Sequence, residues 1–537
     1  MTLSGNNTYK GASIAKQGTL SIDGSVAGDA CSVEKGTIAG RGTINGTLYN
    51  NNIAVAGDAT GSGNLTMDKL VSRGVLLSQY QNGTNTQFIV KGEADINGST
   101  VPVPLGATPM PDDKYTVVKA GSITGTAKDL AGTEYELTGM LSAKNEIEGG
   151  NLSVVVEAAN NMVGADAQQN ETFDAMVAMY RNLKRNNDPR MDEMQPLFYM
   201  NGAQEKEALS AISSNASAKS MAVAQRSMMT HHILSSRLNE AFMPKPVKVK
   251  LPEASLNDTA ADGLDISLNL LEPAENDIWL KFGKNWGDLK DGADYHSSTT
   301  LLGYDKAVAP NWRAGVFAGY SSTGFADSTA NNELKDTRFG LYAGYNKAGR
   351  EAMAYLDYGW LRNKLHRGVM GMTANARYHS RILELGGEYL YDLHAAKNVP
   401  WHVRPYVNAQ LSRLWQNGYI EEGAGVFNQV VQGKHNDYFG MGAGVEFKRY
   451  LPGGNYAVRA GVRHAFAGAE PKLRYSYMGD AANTYDMRNV QDKTHFVLSI
   501  GGEAEVAKGW SIGGDASFTR GRHDKDFSCS VTVKRMW

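Results

Sequence analysis

Phe439-Gly-Met441-Gly-Ala443-Gly-Val445-Glu-Phe447 puts an apolar side chain at every second position and a glycine or a carboxylate between them. Successive side chains of an extended chain point to opposite faces. One face of this strand is therefore apolar, and the other is small and polar. The pattern recurs from Asn276 and Asp277 to Trp537. Apolar-out and polar-in over many strands is the pattern of a barrel in lipid. It predicts twelve strands, near 276–289, 295–308, 311–324, 334–348, 350–364, 377–393, 400–415, 436–450, 455–467, 491–507, 509–522 and 525–537. Their connections alternate in length. Val308-Ala-Pro310, Ala348-Gly-Arg350, Leu451-Pro-Gly-Gly-Asn455 and Ala507-Lys-Gly509 are short, 393–399 is intermediate, and 325–333, 365–376, 416–435 and 468–490 are longer. Short periplasmic turns and long external loops suit an outer-membrane barrel, although the last external loop, Gly521 to Asp526, is short.

The two faces sort consistently. Trp312, Val316, Tyr320, Phe339, Leu341, Tyr345, Trp401, Val403, Val407, Phe496, Leu498 and Ile500 are expected to face lipid. Arg313, Arg338, Asp357, Glu384, Glu388, Arg404, Glu446, Arg459, Arg463, Glu503 and Asp515 fall on the other face, toward the lumen. In lipid each basic residue at mid-bilayer would cost about 2–4 kcal/mol; in a wet lumen opposite charges pair. Trp312, Trp360, Trp401 and Trp510 lie near strand ends, as interfacial girdles require. The alternative, a soluble β-sandwich, needs an apolar interior and a polar outside and would leave these glycine- and charge-rich faces solvated; twelve such strands in a row argue against it.

The composition agrees. The chain has 537 residues, 59 of them glycine and only 15 proline, which fits many strands and tight turns. A net charge of −2 gives no electrostatic pull toward nucleic acid. Mean hydropathy is negative, and no apolar run approaches the ~18 residues of a membrane helix; alternating barrel strands do not need one. Cys31 and Cys529, at opposite ends, exclude a disulfide framework and give no metal-site spacing. Met1-Thr-Leu-Ser-Gly-Asn-Asn lacks the basic start and apolar core of a signal peptide. The expectation is that an outer-membrane chain needs one upstream, in a longer protein or before a later-called start.

The first 158 residues read differently. Short apolar pulses follow turn residues: Gly18-Thr-Leu-Ser-Ile22, Gly36-Thr-Ile38, Gly42-Thr-Ile44, Gly46-Thr-Leu48, Asn52-Ile-Ala-Val55 and Gly63-Asn-Leu-Thr-Met67. None buries a face alone; stacked, they make the continuous core of a β-solenoid. A disordered linker is the alternative, and the regular pulses argue against it. Leu3-Ser-Gly-Asn-Asn-Thr-Tyr-Lys-Gly11 with Gly18-Thr-Leu20 resembles the passenger-associated repeat of autotransporters, the type V secretion family. Lys114-Tyr-Thr-Val-Val-Lys-Ala-Gly121, Gly125 and Gly150-Asn-Leu-Ser-Val-Val-Val156 resemble the end of such a passenger. The resemblance implies a right-handed solenoid closed by an autochaperone-like cap.

Helix formers take over at Asn160-Asn161. Phe173, Met176, Val177 and Tyr180 make one helical face. A second run, from about Gln204 to Phe242, contains Leu209, Ile212 and Ala216 within a small, polar stretch, poor for a core and suited to a narrow wet channel. Ala208-Leu209-Ser-Ala-Ile212-Ser213, Ala216-Ser217 and Arg237-Leu238 resemble the helical segment that precedes an autotransporter barrel; Ser214-Asn215 stand where that family usually has Gly-Glu. Pro244 and Pro246 end the run, and 247–275 reads as a linker. Asn160-Asn161 is similar to the cleavage pair of some autotransporters but precedes the first helix, so composition-boundary coincidence is the preferred reading. His231-His232, adjacent on a helix, do not share a face as metal ligands would.

The barrel opening is similar to the autotransporter translocator at Asp277-Ile-Trp-Leu-Lys-Phe-Gly283, Gly303-Tyr-Asp305, Trp312-Arg-Ala-Gly-Val-Phe-Ala-Gly-Tyr320 and Gly340-Leu-Tyr-Ala-Gly-Tyr345. The resemblance implies three domains: a passenger end at 1–158, a linker and lumen-threading helix at 159–275, and a barrel at 276–537. It implies an outer-membrane translocator that exports and anchors its own passenger at the cell surface. The partners would be membrane lipid, the barrel assembly machinery and the passenger itself, around a monomeric barrel. The final strand is the assembly signal in that family. Its outward register is Phe527, Cys529, Val531, Val533, Arg535, Trp537, with Arg535 where the family has an apolar residue. An arginine there snorkels to water, and Cys529 reads as a small apolar residue. His296, His366, His379, His394, His402, His435, His464, His495 and His523 sit in no nucleophile motif, so no catalysis, cofactor or metal is expected. The rival readings are an adhesin, a protease or esterase whose catalytic domain lies upstream, and a plain diffusion pore.

Overall fold

The computed structural model describes residues 1–126, 135–226, 275–290, 292–395, 399–451 and 453–537, and the backbone of 245–250 and 267–272. Two compact units result, Met1–Ser210 and Ala211–Trp537.

In the first unit the pulses stack. Gly18, Thr19 and Leu20 lie beside Gly36, Thr37 and Ile38 in parallel register, and Ile38 lies beside Ala54. Ile44 lies beside Met67, and Leu65 and Met67 beside Phe88 and Val90. Similar short motifs meet coil after coil, so Ile44, Met67 and Val90 stack in one buried column, and Ile22, Ile38 and Phe88 are buried as well. A polar ladder runs with it: Ser32 donates to Asn50 at 2.8 Å, and Asn50 donates to Ser72 at 3.0 Å. The parallel stack stops at Lys114–Thr124, which pairs parallel with Phe88–Asp95 and antiparallel with Asn151–Ala158. Leu141–Glu148 completes an antiparallel end to the sheet.

Helix α1, Ala167–Arg185, starts with a capping box between Asp166 and Gln169 and buries Phe173, Met176, Val177 and Tyr180. Arg181 makes a two-bond contact with Asp112 at 2.9 Å, and Lys184 reaches Asp113 at 2.8 Å. The second helical run is not continuous. Helix α2, Gly202–Ile212, stops, and α3, Ala216–Arg226, begins after Ser213-Ser214-Asn215. Residues 227–242 of that reading, with His231-His232, lie outside the described residues. The expected linker contains two short strands, Lys245–Lys250 and Ser267–Glu272, paired antiparallel.

The second unit is a closed antiparallel barrel of twelve strands. They are β1 Asn276–Asp288, β2 Asp294–Ala309, β3 Trp312–Ala326, β4 Ala330–Lys347, β5 Arg350–Val369, β6 Met372–Tyr391, β7 His402–Gln416, β8 Lys434–Leu451, β9 Gly454–Ala467, β10 Thr494–Ala507, β11 Trp510–Arg520 and β12 Lys525–Met536. Closure runs from Asp277 opposite Met536 to Asp288 opposite Lys525. Backbone bonds between Asn276 and Trp537 add a last rung at 2.9 and 3.1 Å. No edge strand remains, as lipid requires.

The external connections correct the expectation. The loops expected at 325–333 and 365–376 are mostly strand: β3 and β4 run to Ala326 and from Ala330, and β5 and β6 meet at a two-residue turn. Met370 and Gly371 both have positive φ, 51° and 79°, the type I′ geometry that matches strand twist. The loops near 416–435 and 468–490 fold into a four-stranded sheet of Tyr419–Ile420, Gln429–Val431, Lys472–Tyr477 and Asp480–Arg488.

Candidate functional site

The strands alternate strictly enough to separate two environments. Trp312, Val316, Tyr320, Phe339, Leu341, Val407, Phe496, Leu498 and Ile500 are exposed on the outside, while Tyr345 and Val403 are half-buried. Trp360, Trp401 and Trp510 are exposed as well.

Inside, ion pairs link strands that are not neighbours, which is possible only across a concave lumen. Arg459 on β9 reaches Glu388 on β6 at 3.0 Å and also pairs with Glu446. Arg404 on β7 binds Glu446 at 2.8 Å and pairs with Glu351 on β5. Arg338 meets Asp336, Asp357 at 3.4 Å and Glu384 at 3.5 Å. Arg313 lies 2.7 Å from Asp305 and 3.3 Å from Asp277. Lys281 on β1 reaches Asp515 on β11 at 2.5 Å, Lys534 pairs with Glu503, and Arg463 donates to Gln410. Buried charges this dense cost heavily unless paired, and removing one partner costs about 3–5 kcal/mol.

Alternation of charge does not reveal the aromatic part of this lining. Trp279, Leu301, Phe317, Tyr342, Met353 and Tyr355 form a buried cluster inside the barrel. Trp279 donates to Tyr342 at 2.8 Å, and Tyr342 donates to Asp305 at 2.5 Å, so the cluster joins the Arg313 network. Tyr355 donates to Glu384 at 2.6 Å. Glycines make room: Gly303 is the register partner of Trp279, and Gly386 that of Tyr355. A Cβ on Gly303 would fall within the Trp279 indole, and one on Gly386 within the Tyr355 ring. The signal was parity, since Trp279 shares its face with Asp277 and Lys281.

The external mouth holds a stretch of the chain itself. Arg367 and Glu421, fully buried and 2.5 Å apart, sit over the end of α2. Arg367 donates to the Ala211 carbonyl at 2.7 Å and to that of Phe427 at 2.8 Å. Gln429 donates to the Ile212 carbonyl at 3.0 Å. The orphan carbonyls of a helix end are thus satisfied from the outer end of β5 and from an external loop. Deeper, α3 is gripped from several strands. Ser217 bonds Tyr419, and Lys219 reaches Asp327 at 2.7 Å. Ser220 bonds Asn332 and lies 3.4 Å from the Asn363 acceptor. Gln225 donates to the Asn436 carbonyl at 2.9 Å. Asn363 lies below Arg367 along β5, so the segment descends into the lumen as its residue numbers rise. Burial would raise Asp327, but the Lys219 ammonium and the Thr329 hydrogen bonds hold it below the usual carboxylate range.

The final strand presents Phe527, Val531 and Trp537 outward, with Val533 half-buried. Arg535, the register partner of Trp510, stacks over its ring at 5.2 Å and donates to the Lys508 carbonyl at 3.0 Å, at the level of the girdle. Cys529 is a half-exposed free thiol. His402, His495 and His523 pair with Asp392, Asp524 and Asp492 at 2.8, 2.7 and 3.1 Å. In the first unit, Asn161 donates to the Thr138 and Leu141 carbonyls at 3.0 and 3.3 Å and fixes the strand end. No group of three or more metal-ligating side chains occurs among the described residues.

Residues 278–517 match the family model of the autotransporter β-domain. The barrel is an autotransporter β-domain. The chain resembles an extracellular serine protease of Serratia marcescens, 24% identical over 443 residues, which are 73% of this chain and 41% of that protein. It also resembles esterase EstA of Pseudomonas aeruginosa, 24% identical over 253 residues, 45% of this chain and 38% of that protein. It therefore spans about two fifths of the curated relatives it matches. Among solved structures, the translocator domain of autotransporter NalP from Neisseria meningitidis aligns at a TM-score of 0.43 and 14% identity, covering 49% of this chain and 89% of that one. The autotransporter barrel here is a transporter fold of the outer membrane.

Proposed function

We propose that this chain anchors itself in the outer membrane and carries its N-terminal solenoid to the cell surface through its own barrel. The observation that carries this is the grip on residues 211–226. Arg367, Gln429 and Glu421 hold the end of α2 at the external mouth, and α3 descends from there. The N-terminal side of the segment thus leaves on the outside. An ordinary diffusion pore has no use for a helix satisfied bond by bond in its mouth.

In this reading the barrel performs no chemical reaction. Its charged lining supplies a wet path, and vectorial stacking of solenoid coils outside favours export over return. The outward Phe527, Val531, Val533 and Trp537 serve recognition by the barrel assembly machinery, and the barrel works as a monomer. Relatives named as a protease and an esterase make an enzyme in the remainder of a longer protein the favoured cargo.

The test is surface proteolysis of intact cells expressing the chain behind a cleavable export signal. Protease should remove the solenoid and leave a heat-modifiable barrel fragment in the outer membrane. A solenoid that stays protected until the cells are lysed overturns the reading.

A further inference from the structure

The outward face of β5 changes abruptly along its length. From the periplasmic end it shows Ala352, Ala354, Leu356, Tyr358 and Trp360, then Arg362, Lys364 and His366. The stretch 350–360, at about 3.3 Å per residue and a tilt near 40°, rises about 25 Å, the height of an outer-membrane apolar band. Trp360 thus marks the external edge of the lipid belt, and Arg362 stands one outward position above it.

Strand register gathers further cations at this level. Arg381 lies opposite Trp360, and Arg377 lies opposite Lys364. Lys335 lies opposite Arg362. Lys335 and Lys364 share Glu333 at 2.8 and 3.5 Å. Arg362, Arg377 and Arg381 are exposed and have no ion pair or hydrogen-bonding side-chain partner among the described residues. Part-way round the barrel, β9 and β10 differ: they carry His464, Phe466 and Thr494 outward at their external ends.

We propose that this patch binds the phosphorylated headgroup of a glycolipid in the outer leaflet. Adjacent strands stand about 4.8 Å apart and successive outward residues about 6.6 Å apart, so the three guanidinium groups converge on an area the size of one phosphosugar. Guanidinium forks suit phosphate oxygens. Their position, Arg381 level with Trp360 and Arg362 and Arg377 above it, lets one molecule place its acyl chains on the apolar belt and its phosphates among the arginines. A soluble polyanion would gain nothing from that adjacency. Three neighbouring cations without acidic partners repel one another; a bound phosphate removes that repulsion. The contact would also brace the β5–β6 hairpin, whose partners fill the mouth. This rests on the outer-membrane reading above.

The full chain in detergent, freed of lipid, is examined by native mass spectrometry with a bisphosphorylated lipid A-type glycolipid, its dephosphorylated form, inorganic phosphate and a sulfated polysaccharide. The triple variant R362Q/R377Q/R381Q and a K284Q/R520Q/K525Q control are run beside it. Heat-modifiable gel mobility of each variant shows separately that the barrel has formed. The expected result is a one-to-one glycolipid adduct, at least tenfold weaker for the triple variant or the dephosphorylated lipid, and unchanged for the control. Equal adducts on wild type and triple variant overturn the proposal. So does displacement of the lipid by millimolar inorganic phosphate, or an adduct with the polysaccharide in place of the lipid.

Discussion

Replacing Asp327 by asparagine separates the two duties of that carboxylate. Oδ1 holds the β3–β4 turn, accepting from the amides of Thr329 and Ala330 at 2.8 and 2.7 Å. Oδ2 holds Lys219 of α3 at 2.7 Å. Asparagine keeps the first acceptor and turns a donor toward the ammonium. Two unit charges at this separation attract by about 6 kcal/mol at an effective dielectric near 20, and much of that repays desolvation. The side chains are only 8% and 5% exposed, so the cost of stranding one partner falls in the range of about 3–5 kcal/mol. At the lower end, the helix leaves the mouth about 150-fold more often. The assay places a reporter thiol at Ala222, which is 4% exposed, in a chain whose Cys31 and Cys529 are serine. A pyridyl disulfide reagent reads the opening as a labelling rate. Asp327→Asn should raise that rate about a hundredfold, and adding Lys219→Gln should bring it back most of the way. Because the folded pKa of Asp327 is held down, its contribution exists above the ordinary value near 4 and is lost as pH falls through the folded value. The wild-type rate should therefore climb below about pH 4, and the Asp327→Asn rate should not. Wild-type labelling by Asp327→Asn, or no recovery in the double variant, refutes the reasoning.

Two further outcomes follow from buried groups. Glu205 is buried, and desolvation pushes its carboxyl up to about 7. The folded state then holds a proton that the unfolded chain releases above about pH 4.3, so the stability of Met1–Ser210 should fall as pH rises from about 4 to 7. Glu205→Gln should flatten that profile and stabilise the unit by up to about 3 kcal/mol at pH 8, measured by pulse proteolysis in urea. Gly303→Leu should expel the Trp279 ring from the lumen and break its bond to Tyr342. Overpacking costs about 1–3 kcal/mol, so the heat-modifiable gel band should be lost at a lower temperature, while Gly371→Asn, at a turn with φ of 79°, should leave it unchanged.

The positions of the strands were legible because a barrel wall between lipid and water forces alternation on every strand. Above the lipid that contrast disappears. Asn331-Asn332-Glu333 and Arg367-Gly368-Val369 look like loop in the sequence, and they extend β4 and β5 because β-pairing continues in register up to Ala330 opposite Arg367. The lumen charges were legible by parity, and their partners were not. Arg459 finds Glu388 three strands away, a consequence of barrel closure that no local pattern encodes. Arg367 and Glu421 belong to segments whose meeting depends on how the external loops fold. Trp279 shows the limit of residue type as a guide, because tryptophan suggests a girdle and its parity places it among aspartate and lysine.

The composition of α3 follows from its surroundings more than from helix propensity. Ala216-Ser-Ala-Lys-Ser-Met-Ala-Val-Ala-Gln-Arg226 holds no aromatic residue and one long apolar side chain. A helix fixed by apolar burial would need large side chains, and these would have to be withdrawn together for the segment to move. Among the described residues the hold includes hydrogen bonds from Ser217, Ser220 and Gln225 and an ion pair from Lys219. Each neutral bond is worth about 0.5–1.5 kcal/mol net, and the partners can be exchanged for water or for the next residue one at a time. Small side chains let a helix pass the Tyr378 and Tyr419 rings, stacked 4.4 Å apart beside it. The Lys219–Asp327 pair is the exception, a buried charge contact that cannot slip by one residue without pulling the two charges apart. A segment that slides on weak, exchangeable bonds and stops on a strong one is what a chain needs if it is to travel through a barrel and come to rest in a fixed register.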